Sequence, residues 1–168
     1  DHLAALVAGV LLHYDGQLAA SDKMLEPLLD TPMNDEARLF IYLGMNAFDL
    51  GDAKKGLEYI DRATAVTWPD PDVYYCRAEI LRMTDPRAAK VNLMRYMSQT
   101  SHSPTHSAAK QERVNILLKN LDRCIADGNR GPCPGPWEHP RPEGVSLFER
   151  SSVFPTGRVV GISVLALA

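Results

Sequence analysis

The sequence predicts an all-α fold: three helical hairpins in a short solenoid, a capping helix and an irregular C-terminal tail. Three observations carry this expectation. Gly9 recurs as Gly44 and Gly16 as Gly51, each 35 residues on; at that offset Leu25 is answered by Ile60 and Leu28 by Ala63, and a further 34 residues carries Gly44 to Ala78. Apolar residues fall at three- and four-residue spacing on both sides of the Gly51-Asp52 turn, as a pair of packed helices requires. After Gly128 the composition shifts abruptly, with six of the 12 prolines lying between Pro132 and Pro155. A fixed period with small and apolar residues in phase marks a helical-hairpin repeat, a unit that buries its apolar face only against its neighbours.

The first unit is a helix pair over 2–15 and 17–30 with Gly16 at its turn. Its apolar opening, Leu3 to Leu12, resembles the core of a signal peptide in composition. It has no basic leader and falls in phase with the repeat, so it reads as a repeat helix. A first residue of Asp1 rather than methionine points to a processed or trimmed chain. The second unit runs from Ala37 to Trp68: Phe40, Leu43, Gly44 and Ala47 share one helical face, and Leu57, Ile60 and Ala63 another. Trp68-Pro69-Asp70-Pro71 stops it, because proline lacks the amide donor and restrains the residue before it. The third unit places Tyr74, Ala78 and Leu81 before an Asp85-Pro86 turn, then Ala89, Leu93 and Tyr96. A polar loop over 100–107 leads to an amphipathic helix over 108–127, with Val114, Leu117, Leu118, Leu121 and Ile125 on one face and Lys110, Glu112, Arg113, Lys119 and Asp122 on the other. Such a helix closes the open end of a solenoid. The domain division is therefore 1–128 for repeats and cap, and 129–168 for an extended Pro/Gly-rich tail that ends in a short apolar segment, Val159 to Ala168.

Phe40, Leu43-Gly44, Ala63 and Pro69 give residues 2–99 a pattern that resembles the tetratricopeptide repeat. Gly9, Leu12, Gly16, Ala20, Leu25 and Pro32 place the first unit in the same pattern. Two positions depart from it: Gly56 stands where the second helix ordinarily has alanine, and Arg77 where the family prefers leucine. The resemblance implies a right-handed solenoid whose first helices line a concave, peptide-receiving face. On that face it places Leu3, Leu6, Val10, His13 and Tyr14, then Arg38, Ile41, Met45, Phe48 and Asp49, then Tyr75, Glu79, Arg82 and Met83. The aliphatic members fit groove and core equally well. The partner-binding set is Arg38, Met45, Phe48, Asp49, Tyr75, Glu79 and Arg82. Leu6, Val10 and Tyr42 occupy the points where the family's clamp for acidic C-termini has lysine and asparagine, so a clamp of that type is not expected.

The 168 residues carry a net charge of −3, which argues against a nucleic-acid binder. Residues 1–100 hold 10 basic and 15 acidic side chains and residues 101–168 hold 8 and 6, so a slightly basic tail follows acidic repeats. No nucleophile elbow, phosphate-binding loop, haem-attachment or zinc-protease motif is present, and no cofactor or enzymatic activity is expected. His102 and His106 have a metal-like spacing, with His139 as a conceivable third ligand. The loop holds Pro104, however, and the pair reads as ordinary loop histidines, leaving a metal-linked accessory subunit as a minor alternative. Cys124 and Cys133 are nine positions apart and are expected to form a disulfide that pins the tail to the capping helix, the alternative being two free thiols. A disulfide points to an oxidising compartment, periplasmic or otherwise extracytoplasmic. Cys76 is expected to be a buried apolar residue. The expected function is a non-enzymatic protein-binding scaffold or adaptor subunit of a larger complex. A membrane-tethered adaptor, with the apolar C-terminus as the start of an anchor, is the other alternative.

Overall fold

A computed structural model describes residues 1–101 and 108–136. Among these residues the chain is all helical, with seven α-helices and no strand. They are α1 (His2–Tyr14), α2 (Leu18–Leu25), α3 (Ala37–Asp49), α4 (Ala53–Ala65), α5 (Asp72–Leu81), α6 (Pro86–Thr100) and α7 (Ala108–Ala126). α1 packs chiefly on α2, α3 on α4 and α5 on α6, while α7 closes on α6. These are the hairpins that the apolar spacing predicts.

The turns are built identically in the first two hairpins. Gly16 and Gly51 adopt φ of +76° and +97°. The residue after each glycine donates its amide back into the helix, Gln17 to the Leu12 carbonyl at 2.9 Å and Asp52 to that of Ala47 at 2.8 Å. A helix that ends this way needs glycine at the left-handed position. Carboxylates start the following helices: Asp52 accepts from the Lys55 amide at 2.9 Å and Asp85 from that of Ala88 at 3.0 Å. The second helix of the first hairpin is shorter than its sequence span. α2 ends at Leu25 and two 3₁₀ turns, Glu26–Asp30 and Pro32–Asp35, follow, because Pro27 withholds the amide that a longer α-helix needs.

The recurring small residues mark where helices touch. A Cβ on Gly9 would collide with the Leu25 side chain, and one on Gly44 would stand 2.9 Å from Ile60 Cγ1 and 3.0 Å from the Gly56 carbonyl oxygen. Gly56, a departure from the repeat pattern, faces Gly44 backbone to backbone: its own Cβ would lie 2.9 Å from the Gly44 oxygen. Gly56→Ala is therefore expected to destabilise the chain by about 1–3 kcal/mol through overpacking, despite a helix-propensity gain of about 1 kcal/mol. Urea unfolding measures this, and an unchanged or raised midpoint would show that α3 and α4 separate freely. The other departure is explained by charge: Arg77 reaches back to Asp61 on α4 at 2.8 Å.

The core runs through all three hairpins, from Leu25 and Leu39 through Ile60 and Ala78 to Leu93 and Tyr96, and ends in Val114, Leu117 and Leu121 of α7. The polar face expected of α7 is only partly solvated. Lys110 is mostly covered, bonded to Asp72 at 2.5 Å and lying over the Tyr96 ring, and Lys90 of α6 pairs with Asp122 at 2.6 Å. The cap is thus tied to α5 and α6 by charge as well as by its apolar stripe. Beyond α7, residues 131–136 lie against the C-terminal end of α5 and against α7.

Candidate protein-interaction surface

The proposed groove residues divide into three groups. Arg38 is exposed and sits at the entrance to α3, its guanidinium 3.7 Å from Asp70. Phe48 and Asp49 are half-buried at the other end of that helix. Met45, Tyr75 and Glu79 are buried, which corrects their assignment to an accessible face: α3 is packed by both the first hairpin and α4 and α5, and α5 by α3, α4 and α6, so these positions are interior. The same correction applies to His13 and Ile41.

Tyr75, Glu79 and Arg82 do come together, but as an internal cluster. Glu79 is fully buried; its Oε1 accepts from the Tyr75 hydroxyl at 3.1 Å and its Oε2 from Arg82 Nε at 2.8 Å. Burial, with Glu79 beside it, holds the Tyr75 hydroxyl well above its usual range. Arg82 Nη1 donates onward to the Cys133 carbonyl at 2.7 Å. The guanidinium expected to meet a partner is thus engaged by the chain's own returning segment.

A second buried cluster joins the first two hairpins. Asn46 Nδ2 donates to Ser21 Oγ at 2.9 Å and to Asp22 Oδ1 at 2.7 Å, while Ser21 Oγ donates to the Gly9 carbonyl at 2.8 Å. The Asn46 oxygen is left to accept, so His13 Nδ1, 2.6 Å away, is the donor and carries a proton. The Tyr14 and Tyr42 hydroxyls are 3.0 Å apart, and their rings stand edge-on to His13. Burial is also the main reason the Tyr42 hydroxyl is driven far above its ordinary range.

The accessible surface with partner-like chemistry lies at one end of the hairpins. Trp68 is 85% exposed, Leu3 61%, Val7 50% and Leu11 63%. Leu3, Val7 and Leu11 form one stripe along the outer side of α1, a helix without a charged residue between its ends. A helix that is apolar all round belongs to a covered position. The stripe runs into a cleft of about 490 Å³ lined by Leu3, Leu6, Arg38, Trp68, Asp70 and Pro71. Tryptophan and arginine beside a recess are residue types enriched in interface hot spots. In the sequence Trp68 reads only as part of a Pro-rich helix stop, and nothing local marks it as a contact residue.

Cys124 and Cys133 stand at disulfide distance, with Cα atoms 5.9 Å apart, and Cys76 is free and buried as expected. Burial holds the Cys76 thiol well above its usual range. His102, His106, His139 and the apolar segment 159–168 lie outside the described residues. Among the described residues no cluster of histidine, cysteine and carboxylate side chains fits a metal ion, and no helix is long and apolar enough to cross a membrane. No protein-family model, curated protein or solved structure matches the chain.

Proposed function

We propose that this chain is a non-enzymatic scaffold or adaptor subunit of a multiprotein complex. Its hairpins form a short solenoid of tetratricopeptide type. The observation that supports the reading best is the uncovered apolar stripe of α1 running into the Trp68–Arg38 cleft, since an exposed apolar patch rimmed by polar residues marks an interaction site. The contact surface is therefore the edge formed by α1 and the 66–71 turn rather than the concave positions Met45, Tyr75 and Glu79. The cysteine pair at disulfide distance favours a periplasmic or other extracytoplasmic setting.

Affinity purification from the native source, with cross-linking and mass spectrometry, tests this reading. A stoichiometric protein partner is expected, with cross-links concentrated near α1. Trp68→Ala is expected to weaken that association roughly 30-fold, the loss typical of a hot-spot residue. Because Trp68 is exposed, stability should change by no more than about 0.5 kcal/mol. A chain that purifies alone, or a Trp68→Ala variant that binds normally, would remove this surface from the reading.

A further inference from the structure

The segment that follows α7 is bound to the helices as a ligand is bound. It enters at Gly131, where φ is +111° and a Cβ would collide with the Met83 carbonyl, so the chain crosses the end of α5 backbone to backbone. The Cys133 amide donates to the Arg82 carbonyl at 2.9 Å, one of the orphan carbonyls at the end of α5. The Arg82 guanidinium returns a bond to the Cys133 carbonyl at 2.7 Å, and Asn120 Nδ2 of α7 donates to the Gly135 carbonyl at 2.7 Å. Cys133 and Pro136 point inward while Pro132 and Pro134 are exposed. Inward residues three apart have the period of a polyproline II strand, which has no internal hydrogen bonds and leaves its carbonyls for a host to satisfy. Prolines at 132, 134 and 136 bring no amide that needs an acceptor.

We propose that Arg82, which caps the C-terminal end of α5, and Asn120 of α7 form a receptor for an extended proline-rich segment. It is occupied in this chain by residues 132–136 and latched shut by the Cys124–Cys133 bond. The inference rests on the scaffold reading above and names one class of partner: a protein presenting alternate prolines in polyproline II form. Such a segment offers the same carbonyls to Arg82 and Asn120 that residues 133 and 135 offer now. While the sulfurs are bonded, residue 133 is held at residue 124 and the occupant cannot leave, so a segment in trans does not displace it; after reduction the occupant is tethered only through residues 127–131 and can detach. A dithiol opens the latch: the S–S bond breaks, each cysteine sulfur takes a proton, and the two electrons come from the dithiol, which becomes a disulfide. Arg82 remains paired with Glu79 throughout, so the receptor does not lose its own support when the strap leaves.

The test uses the full chain, oxidised or treated with dithiothreitol, and a fluorophore-labelled peptide of sequence Gly-Pro-Ser-Pro-Gly-Pro read by anisotropy. Hydrogen exchange is followed in parallel. Peptide binding is expected only after reduction, and Asn120→Ala is expected to weaken it roughly fivefold through loss of one hydrogen bond. Exchange at residues 131–136 should accelerate on reduction while α1–α4 keep their protection. The Cys124→Ser, Cys133→Ser double variant should behave as the reduced protein without any reductant. Equal binding in both redox states, none in either, indifference to Asn120→Ala, or loss of protection throughout α1–α4 would each overturn the proposal. None of these outcomes touches cross-links made through α1 and Trp68, so the scaffold reading stands or falls separately.

Discussion

Arg82→Ala is expected to destabilise the chain by about 3–5 kcal/mol, the loss that follows when one partner of a buried ion pair is removed. Glu79 has no exposed surface, and its two carboxylate oxygens are held by Tyr75 and Arg82 alone among the described hydrogen bonds. Without the guanidinium its charge stays in the interior, with the Tyr75 hydroxyl as its remaining partner among the described hydrogen bonds. The same substitution removes the donor to the Cys133 carbonyl, so the returning segment loses an anchor as well. Replacing both charges, as Glu79→Gln with Arg82→Met, removes the stranded charge and should recover much of the loss, because an uncharged pair of similar volume avoids the desolvation term. Urea unfolding of Arg82→Met, Glu79→Gln and the double variant measures the coupling. If the double variant is as unstable as Arg82→Met plus Glu79→Gln taken independently, the two side chains are not coupled and the account fails.

The helical hairpins were legible because they rest on local signals. Glycine at a left-handed turn and an aspartate accepting from the third residue of the next helix each act within a few residues, and the structure uses both; the proline stop expected at Trp68 is not what ends α4, which finishes at Ala65 with Val66 already extended. The cysteine pair was legible for a related reason, since a helix end followed by glycines brings residue 133 back to residue 124. What failed was the assignment of faces. Helical periodicity says which residues share a side, but not how many sides are covered. α3 is enclosed on both, so Met45 and Asn46 are as buried as Leu43. α1 has no such enclosure, and its outer stripe stays in water although nothing in its composition separates that stripe from the inner one. Two departures from the repeat pattern were also misleading as sequence. Gly56 is a poor helix former and Arg77 a charge where the repeat pattern prefers leucine, and their reasons, a backbone crossing at Gly44 and an ion pair with Asp61, lie across helix contacts.

Asn46→Ala is expected to destabilise the chain by about 3 kcal/mol, because three hydrogen bonds worth about 1 kcal/mol each vanish and a buried imidazole donor is left unsatisfied. Asn46 is the one side chain in its cluster that touches His13 of α1, Ser21 and Asp22 of α2, and its own helix α3. It therefore fixes how the first hairpin sits on the second, and a network of this kind tolerates only one register. Asp22→Asn is the informative control. Burial raises the Asp22 carboxyl above its ordinary 3.8, while the Asn46 hydrogen bond pulls it down. A carboxyl raised on folding subtracts stability when ionised, and that penalty disappears as pH falls from above its folded value to below 3.8. Asparagine at 22 keeps an acceptor for Asn46 without the charge, so at neutral pH it should leave stability unchanged or raise it slightly. Its advantage over the parent chain should shrink as the solution is acidified. Unfolding midpoints for both variants, followed from neutral pH to below 3.8, separate the two contributions. If Asp22→Asn proved as damaging as Asn46→Ala, the negative charge rather than the amide would be organising the junction. The first hairpin would then be held to the second by electrostatics, and its docking would weaken in acid instead of holding.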